Sequence, residues 1–355
     1  MSETLIIRNF GPIKDVEIEL KRFNIFIGDQ GTGKSTVAKL LVAVKNSYYR
    51  EILDVRIDDS LDQDYQLFIG HVKLLGIENY IKAETHIIFS NQIFYFECKN
   101  QRVTLDRTSD ITFNETIKYD FNYVPSERSQ IISLADNLYA LIETGTKLPK
   151  LFSRFGDRFL KARKAKPNYD YTEVLEVVYE HRTEYDVIVL KGGVEIPILD
   201  TSSGLQSSIA LLIFLDYVCE ISDAKNTIVI EEPELNLFPE SQNRLVKYLF
   251  RKILQTNRNS ILITTHSPYI LSSLNNLMYA FSVGQNEPEE VNKIIPRQYW
   301  INPDEVSAYR LLKDGTCESI IDDGENLIKA EKIDEVSGHM NEQFDSLLNI
   351  ELVAK

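Results

Sequence analysis

Short apolar runs parted by turn residues mark the early part of the chain. Residues 5–20 hold two β-prone runs divided by Gly11-Pro12, which predicts a hairpin. Residues 23–27, Phe-Asn-Ile-Phe-Ile, read as a buried strand. From Ser35 the spacing becomes helical, with Val37, Leu40, Leu41 and Val44 on one face through about residue 52. Residues 54–84 are mixed and carry a predicted helix over 64–75. Between 86 and 119, runs such as Ile93-Phe-Tyr-Phe-Glu-Cys98 and Val103-Thr-Leu105 predict an antiparallel meander.

The pattern changes again after residue 123. Tyr123-Val-Pro-Ser126-Glu-Arg128-Ser129 predicts a helix start with Ser126 as N-cap. Over 146–166, Leu151, Phe152, Phe155, Phe159 and Leu160 recur at helical spacing among basic residues, a basic amphipathic helix. Residues 187–190 and 194–199 around Gly192-Gly193 predict a second hairpin. A long apolar helix follows over about 205–221. The continuous apolar runs at 227–231 and 260–265 are of the buried parallel-strand type, with a helix between them over about 240–254.

Composition narrows the class. The 355 residues, 43% of them hydrophobic, suit one large or two medium packed domains. No apolar run approaches the length of a membrane span and the first residues lack a signal pattern, so no membrane association and a cytoplasmic location are expected. Cys98, Cys219 and Cys317 are odd in number and far apart, which predicts buried free thiols rather than disulfides or a zinc site. A net charge of −14 repels polyanions, so any nucleic-acid contact must be local or supplied by a partner. The basic helix is the local exception. Lys147, Lys150, Arg154, Arg158, Lys161, Arg163, Lys164 and Lys166 face only Asp157, eight positive charges against one negative or +7. Two readings are open for it: a solvated face packed over the core, or a contact for nucleic acid, nucleotide or an acidic partner.

The chemistry concentrates at strand ends. Gly28, Gly31, Gly33, Lys34 and Ser35 fit G-x-x-x-x-G-K-[ST] at every fixed position, between a strand and a helix. Backbone N–H groups of such a loop cradle phosphates, Lys34 reaches the β- and γ-phosphates, and the Ser35 hydroxyl meets Mg²⁺. The nucleotide loop is therefore Asp29, Gln30, Gly31, Thr32, Gly33, Lys34, Ser35 and Thr36. At the end of the strand over 227–231, Glu231 is the candidate metal-shell acid and Glu232 the group that polarises the attacking water. His266 ends the next strand, where it can sense a γ-phosphate. Ser203 and Gly204 open the long apolar helix, a second N-terminus suited to an anion. One γ-phosphate does not need both sites, whereas two chains facing head to tail would use both.

The order of these motifs, phosphate loop, Ser-Ser-Gly-x-Gln, apolar strand with Glu-Glu-Pro-Glu, and strand with Thr-His-Ser-Pro, resembles the ATP-binding-cassette (ABC) class of P-loop ATPases. Within it the chain resembles the SMC and RecF branch and, most closely, the OLD-like predicted ATPases of prokaryotes, over nearly its whole length. The resemblance implies an α/β fold with a mixed central sheet, an antiparallel β lobe and a helical lid. It divides the chain into a first ATPase-core segment with the lobe (1–135), the lid (136–185), a second core segment (186–300) and a C-terminal helical element (301–355). It also implies an ATP- and Mg²⁺-dependent homodimer in which Ser203 and Gly204 of one copy cap the phosphate held by Lys34 and Ser35 of the other.

By the same resemblance Glu232 is the catalytic glutamate, His266 the switch histidine, Arg128 a nucleotide-site candidate and Gln130 a candidate for the glutamine loop. This sequence departs from the family's pattern at Glu231, where aspartate is usual, at Leu205, where the signature has a second glycine, and at Phe238, where OLD-like chains have histidine. Only 89 residues follow His266 (355 minus 266), without a clear D-x-D strand end, so no nuclease is expected within the chain. The expected role is control of a separate effector, a nuclease or toxin, in anti-phage defence. The alternative is a RecF- or SMC-like ATPase acting directly on DNA through the basic helix. A transporter ATPase and a small-molecule kinase match the motifs less well.

Overall fold

The computed structural model describes residues 3–52, 61–92, 94–107, 118–145, 148–183, 185–256, 258–322, 324 and 326–329. It opens on the expected hairpin, β1 (Glu3–Phe10) and β2 (Ile13–Leu20), with Glu3 opposite Leu20 and Phe10 opposite Ile13. Next come β3 (Phe23–Ile27), α1 (Lys34–Ile52), α2 (Leu61–Leu74), β4 (His86–Ser90), β5 (Phe94–Lys99) and β6 (Arg102–Arg107). The hairpin and the meander β4–β5–β6 join in one antiparallel sheet of order β2-β1-β4-β5-β6. Strict alternation along β5 buries Phe94, Phe96 and Cys98, which is how an antiparallel sheet covers a core on one face only.

The middle of the chain forms β7 (Tyr119–Val124), α3 (Gln130–Leu134), α4 (Leu138–Glu143), α5 (Lys150–Ala165), β8 (Asn168–Tyr171), α6 (Thr172–Leu175), β9 (Val177–Glu180), β10 (Val187–Leu190) and β11 (Glu195–Pro197). The remainder forms α7 (Ser203–Glu220), β12 (Lys225–Glu231), α8 (Pro239–Leu254), β13 (Ser260–Thr265), α9 (Pro268–Gly284), α10 (Pro288–Ile294), β14 (Val306–Leu311) and β15 (Cys317–Ser319).

The central sheet runs β15-β14-β3-β13-β12-β7, parallel except at the β15 edge. Its strands are apolar on both faces, and their two-residue period divides them between two cores. Ile228 and Ile230 face the core built with α7, α8 and α9; Val229, between them, faces the core shared with α1 and the antiparallel sheet. Ile261 and Ile263 against Leu262, and Phe23 and Ile25 against Phe26, repeat the division. This is the expected α/β architecture. No helix among the described residues is long and apolar enough to cross a membrane.

Three expectations change. The boundary at 185/186 cuts through a single four-stranded antiparallel sheet, β11-β10-β9-β8, because β9 and β10 pair across it; the described part of 136–185 is therefore part helix, part sheet. Residues 301–319 hold no α-helix, only a 3₁₀ turn at Pro303–Glu305 and two strands. Val306–Leu311 pairs in parallel with the phosphate-loop strand, Val306 opposite Phe23 and Arg310 opposite Ile27, and closes the central sheet. The charged tail over 330–355 lies outside the described residues. Ser126 caps no helix: it begins a 3₁₀ turn, Ser126–Ser129, that follows Pro125, and α3 starts only at Gln130.

Candidate nucleotide site

The phosphate loop leaves β3 at Gly28 and needs its glycines for different reasons. Gly33 sits at φ +95°, and a Cβ there would lie 2.5 Å from Ile13. A Cβ on Gly28 would lie 2.4 Å from the carbonyl oxygen of Leu311, because β14 runs alongside. Thr32 Oγ1 donates to the Asp29 carbonyl at 2.9 Å, and the Asp29 carboxylate pairs with Lys313 at 2.8 Å. That contact holds the Asp29 carboxyl below its ordinary pKa. Lys34 is buried and folds over its own loop, donating to the carbonyls of Gly28 at 2.7 Å and Asp29 at 2.9 Å. Burial lowers its pKa against the opposing pull of Glu232, Asp29, Glu234 and Glu231. Its hydrogen bonds go to neutral carbonyls, so an incoming phosphate would supply the full counter-charge that a desolvated ammonium lacks.

The ends of β12 and β13 face this loop. Glu232 has φ +44°, a left-handed conformation at a strand end, and its N–H donates to the Thr264 carbonyl at 2.8 Å. His266 Nε2 lies 3.5 Å from a Glu232 carboxylate oxygen. Gln30, Gly31, Gly33, Lys34, Ser35, Thr36, Glu232 and His266 line one cavity of about 470 Å³ with Pro12 and Tyr80. Residues from three separate strand ends therefore meet on a single pocket.

Other predicted residues lie outside that pocket. Asp29 and Thr32 shape the loop. Glu231, 6% exposed, lines a larger cavity of about 910 Å³ with Gln130, Tyr123 and Lys39. Arg128 is fully buried and lines neither cavity, so it offers no surface to a nucleotide in this structure. Its guanidinium donates to the carbonyls of Pro125 at 3.2 Å, Glu231 at 2.7 Å and Glu232 at 2.7 Å. Burial lowers its pKa to about 10, which leaves it charged at neutral pH. Ser203 and Gly204 form the first turn of α7, behind the N-cap Ser202, and do not line the 470 Å³ cavity. Gly204 instead packs on the loop after β12, where a Cβ would lie 2.4 Å from the Asn236 carbonyl oxygen.

Two residues escaped the sequence reading. Glu234, largely buried, accepts from Thr265 Oγ1 at 2.6 Å and from the His266 N–H at 2.9 Å, and so ties the end of β12 to the end of β13. Its place beside two strand-end acids was a usable signal. Tyr80, which follows α2, carries no motif.

The basic helix is wired into the fold. Arg158 is forked onto Asp120 at 2.6 and 2.7 Å, Lys161 pairs with Asp157 at 2.7 Å, and Arg163 pairs with Asp186 at 3.0 Å. Phe152, Phe155, Phe159 and Leu160 are buried beneath it. Asp120 and Asp186, from other elements, thus meet two of the helix's positive charges, and Asp157 meets a third from within it.

A family model described as the AAA ATPase domain matches residues 1–173 and 126–271. The chain belongs to that family. The match to the AAA ATPase domain spans the phosphate loop, Arg128, Ser203, Glu231, Glu232 and His266, while β14 and β15 lie beyond it. Among solved structures the chain is similar to an SMC head bound to the C-winged helix domain of ScpA, at 12% identity and TM-score 0.46, covering 90% of this chain and 96% of that one. It is also similar to the SMC head domain from Thermotoga maritima, at 13% identity and TM-score 0.41, covering 90% and 98%. A third is the recombination mediator protein RecF-ATPrS in the RecFOR pathway, at 10% identity and TM-score 0.44, covering 90% and 98%. No curated protein matches the sequence.

Proposed function

We propose that this AAA ATPase domain binds ATP with Mg²⁺, hydrolyses it, dimerises around it and uses the cycle to control a separate effector protein. The observation that carries the hydrolytic reading is the single cavity shared by Lys34, Ser35, Glu232 and His266. Lys34 neutralises phosphate charge, Glu232 accepts the proton of the attacking water, and His266, 3.5 Å from Glu232, orients that carboxylate and meets the γ-phosphate.

Mg²⁺ suits the donors present. Among the described residues no cluster of three or more His, Cys, Asp or Glu could cage a metal, and Mg²⁺ characteristically takes one or two protein oxygens with phosphate and water for the rest. Ser35 Oγ, which lines the phosphate-loop cavity, and the Glu231 carboxylate, which lines the larger one, are both hard oxygen donors. Held there, the ion would supply positive charge that stabilises the phosphate in the transition state.

Ser203 and Gly204 lie away from the cavity of their own chain, which supports a second copy completing the site. The OLD-like motif order supports a nuclease or toxin as the controlled effector, in anti-phage defence. The DNA-acting alternative draws on α5, where Arg158, Lys161 and Arg163 are already held by carboxylates. Purified chain is expected to release phosphate from ATP and Glu232→Gln to bind ATP without turnover and to trap a dimer in size-exclusion chromatography. A wild-type chain that leaves ATP intact, or a Glu232→Gln chain that stays monomeric with ATP, would defeat the corresponding part. Co-purification from the native cell identifies the effector.

A further inference from the structure

Tyr123 brings a buried hydroxyl to the side of Glu231. β7 and β12 run parallel with Tyr123 opposite Val229, and Glu231 follows Val229 by two residues, so both side chains leave the same face of the central sheet. Each residue is 6% exposed, and both line the 910 Å³ cavity together with Lys39. Lys39 lies on α1 four residues after Ser35, on the same side of the helix, and its Nζ stands 5.8 Å from the centre of the Tyr123 ring. Among the described residues the Tyr123 hydroxyl finds no hydrogen-bond partner of ordinary geometry, although it is shut off from water. Burial first, and then the charge of Glu231, raise its pKa above the ordinary tyrosine value, so it keeps its proton.

A buried donor without an acceptor is costly, and such groups are rare unless some state of the protein pairs them. The acceptor on the same face is the Glu231 carboxylate. The Glu231 main chain is already held, since its carbonyl accepts from Arg128 at 2.7 Å, so the carboxylate is the part left to orient. A carboxylate carries two oxygens, and one can accept from a hydroxyl while the other meets a cation. We propose that Tyr123 is the positioning residue of Glu231: in the Mg²⁺–ATP complex its hydroxyl donates to one carboxylate oxygen and leaves the other for the ion. The inference rests on the ATP and Mg²⁺ reading above. A hydrogen bond of this kind fixes the direction of a metal ligand and raises affinity without touching the metal.

Electron paramagnetic resonance of Mn²⁺, used in place of Mg²⁺, measures the metal affinity of the full chain with a non-hydrolysable ATP analogue. Tyr123→Phe is expected to weaken Mn²⁺ binding by about tenfold or more and to leave the affinity for the analogue in EDTA within about twofold. In a Glu231→Gln chain, itself weakened, Tyr123→Phe is expected to add less than about twofold, because the two residues act as one unit. Unchanged Mn²⁺ affinity in Tyr123→Phe overturns the positioning role while the ATP reading stands. A loss in the Glu231→Gln chain as large as in wild type overturns it too, since Tyr123 then acts by another route. Weakened analogue binding in EDTA does the same, because Tyr123 then serves the fold and not the metal ligand. A Glu231→Gln chain with wild-type Mn²⁺ affinity removes Glu231 from the metal shell and the proposal with it. A wild-type chain that binds no analogue removes the ATP reading itself.

Discussion

The main-chain carbonyl of Glu232 accepts a 2.7 Å hydrogen bond from the guanidinium of Arg128, a residue with no exposed surface. The same guanidinium holds the Glu231 carbonyl at 2.7 Å, so one buried cation grips two consecutive peptide groups beneath the candidate water-activating acid. Glu232 pays a conformational cost at φ +44°, of about 1–3 kcal/mol for a residue held in such a region, and the grip from below keeps it there.

Arg128→Ala should therefore cost about 3 kcal/mol or more in stability, since it strands buried carbonyls that lose charge-assisted bonds. Arg128→Lys keeps the charge without the fork and should recover only part of it. Chemical denaturation measures both. Equal stability of wild type and Arg128→Ala would contradict the bracing role.

Glu234 predicts a split between its variants. Glu234→Ala removes the acceptor of the buried Thr265 hydroxyl and the His266 N–H and should destabilise by about 1–3 kcal/mol. With His266 loosened, turnover should fall by about tenfold or more. Glu234→Gln retains one oxygen in place and should stay closer to wild type in both assays. Identical behaviour of the two variants would show that the acceptor does not matter.

Burial pushes the Cys98 thiol up from 9.0 to about 12. Between these values the unfolded chain has released the thiol proton and the folded chain still holds it, so stability falls as pH rises through that window and is fully retained below it. Urea unfolding from pH 8 to 11 should show a shallower alkaline loss for Cys98→Ala than for wild type. Of the three cysteines, expected to be buried, only Cys98 is; it should resist thiol reagents at pH 8 until the protein unfolds, whereas Cys219 and Cys317 are half-buried. Rapid labelling of Cys98 in the native state would count against its burial.

Asp186 binds Arg163 at 3.0 Å, Tyr179 Oη at 2.6 Å and His181 Nδ1 at 2.7 Å, and it joins α5 to the four-stranded sheet. Arg163→Met should cost about 3 kcal/mol by leaving a buried carboxylate without its cation. Adding Asp186→Leu with Tyr179→Phe, which removes the hydroxyl that Asp186 accepts, should restore most of that. A triple variant as unstable as the single one would mean that packing, not charge, is what Arg163 supplies.

Local chemistry carried much of this protein into view before any coordinates. The phosphate loop is legible because glycine spacing, a strand and a helix occupy adjacent positions. Glu232 and His266 are legible because each ends a short apolar run of the kind that parallel strands require. The basic helix was legible as a helix but not in its role, since Asp120 and Asp186 come from other elements and pair with Arg158 and Arg163 only in the fold. The 301–319 segment, expected to be helical, instead holds a short parallel strand beside β3, which shows no periodicity of its own.

What the sequence by itself determined is each element whose cause lies within a few residues: the period of its apolar positions, its turn glycines and the loop that cradles phosphate. Only the tertiary structure decided which of those elements share a site. Arg128 and Glu231 stand 103 positions apart and β14 reaches β3 from the far end of the chain, so no local pattern encodes either meeting. Tyr80 reaches the cavity for the same reason: its place depends on the Gly11 turn that receives it, and that contact exists only once the antiparallel sheet has formed.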